Sequence, residues 1–376
     1  MKVRDICAGI ADGSHNPPQG IEISDYLMLS SKNIFDDEIT FDDPRYLTQA
    51  DFEQEDRRTK VKEGDVLLTI VGTVGRTAVV DKKMPRFTLQ RSVAVLKPKA
   101  DICSSRYLMY ALQGERTHIE NSAKGVAQKG IYLNEVSNID LRIPALSEQE
   151  SIVIRLDKIV SIIHFYQQQL QKLDELVKSR FVEMFGEPVT NSHGYEQVTI
   201  GNACTLINGR AFKPSEWGEK GLPIVRIQNL NDMNASFNYY AGEVSEQHLI
   251  DNGMLLFSWS GTPGTSFGAF MWNRGPGALN QHIFKVIPKL DFDLDYLRYA
   301  MNGQLTTIIE KAHGGVGLQH ITKAELEKIC LLHPEMAEQK RFAAFAKQVD
   351  KSKLAVQQSL EKLETLKKSL MQQYFG

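Results

Sequence analysis

Two stretches of the chain carry the same hydrophobic rhythm. In residues 147–186, Ile152, Leu156, Ile159, Ile163, Tyr166, Leu170, Leu173, Val177, Phe181 and Met184 recur at spacings of four and three, the seam of a coiled-coil helix. Ser147 with Glu150 predicts a capping box at its start, and Gly186 followed by Pro188 predicts its end. Residues 337–376 repeat the pattern less regularly: Phe342, Val349, Val356, Leu360, Leu363, Leu370 and Tyr374 are apolar, while Ser352 and Lys353 interrupt the seam. The segments before these helices, 1–146 and 197–336, are rich in glycine, proline and asparagine and carry short β-like runs. Val66-Leu67-Leu68-Thr69-Ile70-Val71 is one run and Leu255-Leu256-Phe257-Ser258-Trp259 its counterpart, each ahead of a glycine turn. Both segments read as mixed α/β domains with loop-heavy surfaces.

This alternation is a tandem duplication. Residues 170–186 (LQKLDELVKSRFVEMFG) and 360–376 (LEKLETLKKSLMQQYFG), set at an offset of 190, are identical at eight of seventeen positions. At that offset Pro144 also falls on Pro334, Glu148-Gln149 on Glu338-Gln339, Gly125-Val126 on Gly315-Val316 and Ile119-Glu120 on Ile309-Glu310. At 189, Tyr107-Leu108 meets Tyr296-Leu297, Gly114 meets Gly303, and Gly72 and Gly75 meet Gly261 and Gly264. Each long helix has one apolar seam, and the other copy is its nearest partner. Residues 187–196 form a short link, so the second domain starts near the C-terminal end of the first helix and feeds the N-terminus of the second. The helices are therefore expected to pair antiparallel. The expected fold class is α/β, with two mixed α/β domains joined by two long antiparallel helices in a coiled coil, related by a pseudo-twofold axis. With about 38 residues at about 1.5 Å each, the rod would be about 57 Å long.

Composition narrows the class only modestly. At 42% hydrophobic and 24% charged residues the chain is an ordinary globular one. No apolar run approaches the ~18 residues of a membrane span, and Met-Lys-Val-Arg-Asp at the start lacks the apolar stretch of a signal peptide. The expected location is the cytoplasm, with no membrane partner. Cys7, Cys103, Cys204 and Cys330 are scattered, which reads as small buried or idle thiols in a reducing compartment rather than a zinc site or disulfide framework, and no metal ligands are expected. A net charge of −2 does not advertise a nucleic-acid binder. A DNA reader of this balance must concentrate its basic residues on one face.

The predicted shape nevertheless points to DNA. Major grooves recur on one face every ~34 Å, and a reader with a dyad engages two half-sites a turn or more apart. Two domains of different sequence would read different half-sites and leave the bases between them unread. The alternative is a spacer in a scaffold for protein partners.

Local motifs add a family. Ser179-Arg180-Phe181-Val182-Glu183-Met184-Phe185-Gly186-Glu187-Pro188 resembles the end of the first spacer helix in specificity subunits of Type I restriction–modification enzymes. Ile10-Ala11-Asp12-Gly13-Ser14-His15 and the Ile-Pro-x-Leu-x-Glu-Gln run at 143–149 are similar too. Phe257-Ser258-Trp259-Ser260-Gly261-Thr262-Pro263-Gly264-Thr265, followed by Leu279-Asn280-Gln281-His282-Ile283-Phe284, looks like one variety of target-recognition domain. The resemblance runs from residue 1 to 376 and departs from the pattern at His333-Pro334-Glu335-Met336, where a double proline is usual. It implies target-recognition domains at 1–146 and 197–336, spacer helices at 147–186 and 337–376 and a linker at 187–196. It also implies a non-catalytic subunit that reads a bipartite asymmetric site on double-stranded DNA. Its partners would be two methyltransferase subunits acting on adenine N6 and two restriction or motor subunits. This chain would hold no cofactor; S-adenosylmethionine, ATP and Mg would sit in the partner subunits.

Base readout needs donors and acceptors on projecting loops, and phosphate contact needs cations or backbone amides. Residues 66–100 hold seven basic side chains (Arg76, Lys82, Lys83, Arg86, Arg91, Lys97 and Lys99) against one acid, Asp81. Thr73, Arg76, Gln90 and Arg91 flank the glycine turn and the strand after it and are the DNA-binding candidates here; the alternatives are a solvated face and a tight hairpin. Thr262, Thr265, Asn280, Gln281 and His282 are the equivalents in the second domain, where an Asn-Gln pair suits adenine. For His282 the alternative is a satisfied buried histidine. Lys124-Gly125-Val126-Ala127-Gln128-Lys129 faces Gly314-Gly315-Val316-Gly317-Leu318-Gln319 in the duplicate, which adds Lys124, Gln128 and Gln319. The stretch 36–56, with nine acids and one arginine, is expected to face away from DNA.

Enzyme readings fit poorly. Asn16-Pro17-Pro18 echoes the adenine-methyltransferase motif, but Gln19 stands where a stacking ring is needed and only fifteen residues precede it. Gly72-Thr73-Val74-Gly75-Arg76-Thr77 echoes a P-loop, with Ile70 in place of the first glycine and Arg76 in place of the lysine.

Overall fold

The computed structural model describes residues 1–124, 129–261, 266–315 and 318–376. It divides into two compact units, Met1–Gln167 with Gln358–Gly376, and Gln168–Gln357. Each unit joins one globular domain to a stretch of both long helices.

In the first unit a four-stranded antiparallel sheet runs in the order Cys7–Asp12, Val93–Pro98, Val66–Thr69, Thr77–Val79. Its central strands are buried and almost wholly apolar over Val66–Thr69 and residues 93–96, because both faces are covered. Val66, Leu68, Ala94 and Leu96 join a core with Tyr107, Leu108 and Leu112 of the helix Ser105–Gly114. Leu67, Val93 and Val95 face a second core with Leu27, Leu29, Phe87 and Leu89. Those last residues belong to a smaller sheet of Arg45–Tyr46, Leu27–Leu29 and Phe87–Leu89, in which the latter two run parallel.

The second unit repeats this plan. Its main sheet is Cys204–Asn208, Ile283–Pro288, Met254–Ser258, Gly268–Trp272. Its smaller sheet is Asn238–Tyr240, Leu222–Val225, Gly277–Leu279, Leu249–Ile250, again with the second and third strands parallel. A three-stranded piece, Ser260–Gly261, Leu318–His320 and His313–Gly315, is added at the edge.

The long helices span Leu146–Phe185 and Met336–Phe375. In the second unit Asp174 pairs with Lys353 and Arg180 lies 5.9 Å over the Phe345 ring, so one index rises as the other falls and the pairing is antiparallel. The interruption at Ser352-Lys353 is thus explained, since Lys353 meets a carboxylate and not an apolar knob. In the first unit Arg155 donates to the Tyr374 hydroxyl at 3.2 Å. The seam does more than pair helices. Ile152, Leu156 and Val160 complete the first domain's core, as do Leu370, Met371, Tyr374 and Phe375. Val177, Phe181, Met184, Phe185, Phe342 and Val349 do so in the second. The repeated Phe-Gly therefore has a packing role. Phe185 is buried among Phe181, Tyr195, Tyr296 and Phe342 at 5.0–5.9 Å, and Phe375 lies 5.4 Å from Tyr107.

The helix start differs from the predicted capping box. The first helix begins at Leu146, which leaves Ser147 exposed inside its first turn. A buried glutamine takes over the anchoring. Gln149 donates through Nε2 to the carbonyls of Ile102 (2.8 Å) and Pro144 (2.9 Å), and its Oε1 accepts from Ser104 N at 3.0 Å. Gln339 makes the matching bonds to Asp291 O (3.3 Å), Pro334 O (2.9 Å) and Asp293 N (2.9 Å). Both side chains are 0% exposed. Ser104 and Asp293 are in turn N-caps of the helices Ser105–Gly114 and Leu294–Gly303. One amide thus ties the long helix to the helix under the main sheet.

Gln339→Leu keeps the volume and strips the partners from Asp293 N–H and two carbonyls. It is expected to cost about 1–3 kcal/mol in urea unfolding. Phe185→Ala is expected to cost about 3–5 kcal/mol by cavity formation, and Phe375→Ala less, because Phe375 is only partly buried.

Candidate nucleic-acid interface

In each domain a strand of the smaller sheet passes directly into a strand of the main sheet, and three residues must make the crossing. In the first domain these are residues 90–92, between Phe87–Leu89 and Val93–Pro98. Other segments converge on this crossing. Ile70 N donates to Ser92 O at 2.9 Å, bringing in the glycine turn. That turn closes with Thr69 N on Arg76 O (2.9 Å) and needs Gly72 and Gly75 at φ +83° and +92°. Gly72 N donates to Lys129 O at 3.0 Å, and Val71 bridges Gly130, adding Lys129-Gly130. Arg91 N donates to Ser14 O at 2.9 Å. Three segments remote in sequence therefore share one edge, with Thr73 and Arg91 exposed and Gln90 half-buried. A recess of about 600 Å³ opens beside Gln90, lined also by Gln19, Ser30, Lys32, Asp43 and Arg45.

The second domain gathers its counterparts in the same way. Residues 280–282 cross from Gly277–Leu279 to Ile283–Pro288. Trp259 N donates to His282 O at 3.2 Å, while Ser260 and Gly261 pair with His320 and Gln319. Asn280 Oδ1 accepts from Gln281 N at 2.9 Å, and Gln281 Nε2 lies 3.0 Å from His282 Nε2. Burial beside Trp259, whose ring is 5.2 Å away, holds the His282 pKa below the ordinary histidine value. Its Nδ1 and the Oε1 of Gln319 are buried without a hydrogen-bond partner among the described residues. This cluster offers neutral donors and acceptors, whereas the first domain offers a cation.

A family model described as the Type I restriction modification DNA specificity domain matches residues 29–175 and 192–366. The chain belongs to this specificity family. It is 24% identical over 348 residues to the MjaX Type I specificity subunit of Methanocaldococcus jannaschii, covering 85% of this chain and 80% of that one. It is 26% identical over 182 residues to the EcoBI specificity subunit of Escherichia coli, covering 46% of this chain and only 37% of that relative's length. Among solved structures, the Type I restriction–modification S subunit from M. genitalium has the same fold, with a TM-score of 0.59 at 12% identity over 100% of this chain and 95% of that one. A chain from a structure of the type I R-M system aligns at TM-score 0.52 and 15% identity, over 100% and 96% of the two chains.

Within this specificity-family chain, not every predicted contact residue lies where the sequence put it. Gln128, Thr262 and Thr265 fall outside the described residues. Arg76 is half-buried, with its guanidinium over the Phe35 ring at 4.9 Å and Nη1 3.5 Å from Ile34 O. Lys124 is exposed but pairs with Glu135 at 3.0 Å; backbone and lysine hydrogen bonds hold that carboxyl below its usual pKa.

The seven basic residues of 66–100 do not form one patch. Val93–Pro98 is an extended strand, whose two ends lie roughly 17 Å apart. Lys97 and Lys99 sit at the far end, on Asp65 and on Asp5 O, and Arg86 pairs with Asp56. Nor is the acidic stretch set apart. Asp36 pairs with Arg116, Asp37 with Arg106 and Lys367, and Asp43 lines the recess next to Gln90 with Lys32 as its partner.

The geometry also adds residues that the sequence comparison missed. Ser14 forms a bridge with Gln90, and Arg210 forms one with Asn280. His15 is fixed by Asp12 at 2.8 Å, which also holds Arg58. Gly13 and Gly209 precede the bridging residues at an offset of 196, six away from the repeat offset, so a fixed-offset alignment passes over them.

Among the described residues, no group of three His, Cys, Asp or Glu side chains is placed to hold a metal. No helix among them is long and apolar enough to cross a membrane. Burial pushes the thiols of Cys7, Cys103 and Cys204 up to about 12, which leaves them unreactive at neutral pH.

A histidine whose pKa is lowered on folding binds fewer protons in the folded state. Its contribution to stability is complete above the unfolded value of 6.5 and is lost as pH falls below it toward the folded value. The urea midpoint should therefore drop between about pH 7.5 and 5.5, and His282→Gln should flatten part of that drop. Identical pH dependence in the two proteins would contradict a buried neutral His282.

Proposed function

We propose that this chain is the specificity subunit of a Type I restriction–modification enzyme and reads a bipartite, asymmetric site on double-stranded DNA. Residues 1–146 and 197–336 are the two target-recognition domains, 147–186 and 337–376 the spacer helices, and 187–196 the link. The observation that carries this reading is the loop cluster built twice on one plan with different polar side chains. Thr73, Gln90 and Arg91 face one half-site, and Asn280 and Gln281 the other, with His282 held behind them by its buried Nδ1. Gln319 and Lys124 flank these loops.

The subunit itself is non-catalytic and holds no cofactor. Two methyltransferase subunits bring S-adenosylmethionine and modify one adenine N6 on each strand, and two motor–nuclease subunits bring ATP and Mg. The spacer helices offer surface for such partners, since Ile154, Phe165, Leu176, Leu354 and Leu366 are exposed apolar side chains.

Adenine methylation across the genome tests the proposal in cells that carry the chain with its neighbouring methyltransferase. The expected result is a two-part motif with a constant unread gap, absent when the chain is deleted. An unchanged methylome, with the methyltransferase active, would favour a protein scaffold. Replacing residues 1–146 with another domain of the family should alter one half-site only. Leu170→Pro should break the first helix and abolish the constant gap.

A further inference from the structure

The two crossing loops share more than position; they share a backbone frame. Gly13 N donates to Val93 O at 3.2 Å, and Gly209 N to Ile283 O at 3.1 Å. Ser14 N and Arg210 N donate to Leu89 O and Leu279 O, each at 2.8 Å. Gln90 N reaches Leu29 O at 2.8 Å, as Asn280 N reaches Val225 O at 3.1 Å. Val93 N closes on Gln90 O at 3.0 Å, and Ile283 N on Asn280 O at 3.1 Å. The glycines are obligatory, because a Cβ at Gly13 would collide with the Leu89 carbonyl and one at Gly209 with the Asn280 carbonyl.

Within this frame the three positions have different duties. The third is turned to the protein: Ser92 is buried and its Oγ accepts from Ser31 N at 3.0 Å, and His282 has its Nδ1 buried. The second is exposed in both loops, as Arg91 and Gln281. Arg91, like the exposed Arg57 on the helix Gln49–Thr59, also differs from the arginines of its domain that carboxylates hold. Arg58, Arg86, Arg106 and Arg116 are held by carboxylates, whereas the Arg91 side chain has no hydrogen bond, ion pair or ring contact among the described residues. A free guanidinium carried on a backbone tied down at four points leaves its donor fork available to a ligand, and such a fork matches the O6 and N7 acceptors of guanine.

We infer that the pairs Gln90-Arg91 and Asn280-Gln281 are interchangeable specificity determinants, and that Arg91 selects a guanine in the first half-site. This rests on the reading of the chain as a DNA specificity subunit. Because the frames agree, exchanging only these two positions should move base preference without disturbing the fold.

The test uses the full chain with its methyltransferase subunits and reads the methylome of the double variant Gln90→Asn with Arg91→Gln. The expected result is a changed first half-site, with the original sites methylated about 10- to 100-fold more slowly and the second half-site and gap unchanged. The reciprocal variant, Asn280→Gln with Gln281→Arg, should introduce a guanine into the second half-site alone. Arg91→Lys keeps the charge and loses the fork, and it should relax selection at one guanine position even if the double variant folds poorly. Methylation of the wild-type set of sites by Arg91→Lys, with no relaxed position, would overturn the inference. A wild-type methylome without a two-part motif would instead remove the functional reading beneath it.

Discussion

A buried amide at the start of each long helix is the constraint on which the remaining geometry depends. Gln149 and Gln339 each satisfy three backbone groups in a place that water does not reach. A buried polar side chain is tolerated only when its partners are all supplied, so the amide admits essentially one position for the helix relative to the domain. The helix axis, the N-cap of the helix under the sheet and the proline turn before the long helix are thereby set together. The Phe-Gly ends then close the cores from the opposite direction, with Phe185 in the second unit and Phe375 in the first.

A second set of interactions reinforces this attachment. Arg106 and Tyr110 converge on Asp157 in the first unit, and Arg298 and Tyr299 converge on Asp350 in the second, with the tyrosine hydroxyls at 2.7 and 3.0 Å. The same three residue types do the same job, the tyrosines from equivalent positions at the offset of 189 and the arginines and aspartates from shifted ones. A carboxylate held by a guanidinium and a phenol resists sliding of the helix along the domain, because removing either partner would leave a partly buried charge unmatched. The scaffold is thus rigid where helix meets domain. The loops at the far edge of the sheet can differ between the copies without cost to the core, since their backbone bonds use main-chain groups common to all residues.

That division of labour explains what was legible in the residues. The coiled-coil seam, the duplication and the glycine turns all follow from local periodicity or from identity at a constant offset, and the family motifs sit at the same places. The crossing loops were legible too, since Gln90, Arg91, Asn280, Gln281 and His282 follow apolar strands and precede others. The supposed basic patch was misleading, because counting charges along a strand ignores that its ends are far apart. Arg76 and Lys124 were drawn to partners, Phe35 and Glu135, that no local pattern reveals. Ser14 and Arg210 were missed because loops of different length shift the register of the repeat.

By itself, the sequence determined the duplication, the helix seams, the glycine turns and the family, since each is written in spacing along the chain. Only the tertiary structure decided which polar groups meet. It placed Ser14 against Gln90 and Arg210 against Asn280, spent most arginines on carboxylates and left Arg91 free. The physical reason is that a hydrogen bond or ion pair depends on distances of about 3 Å between atoms, and sheet crossing sets those distances between residues seventy or more positions apart.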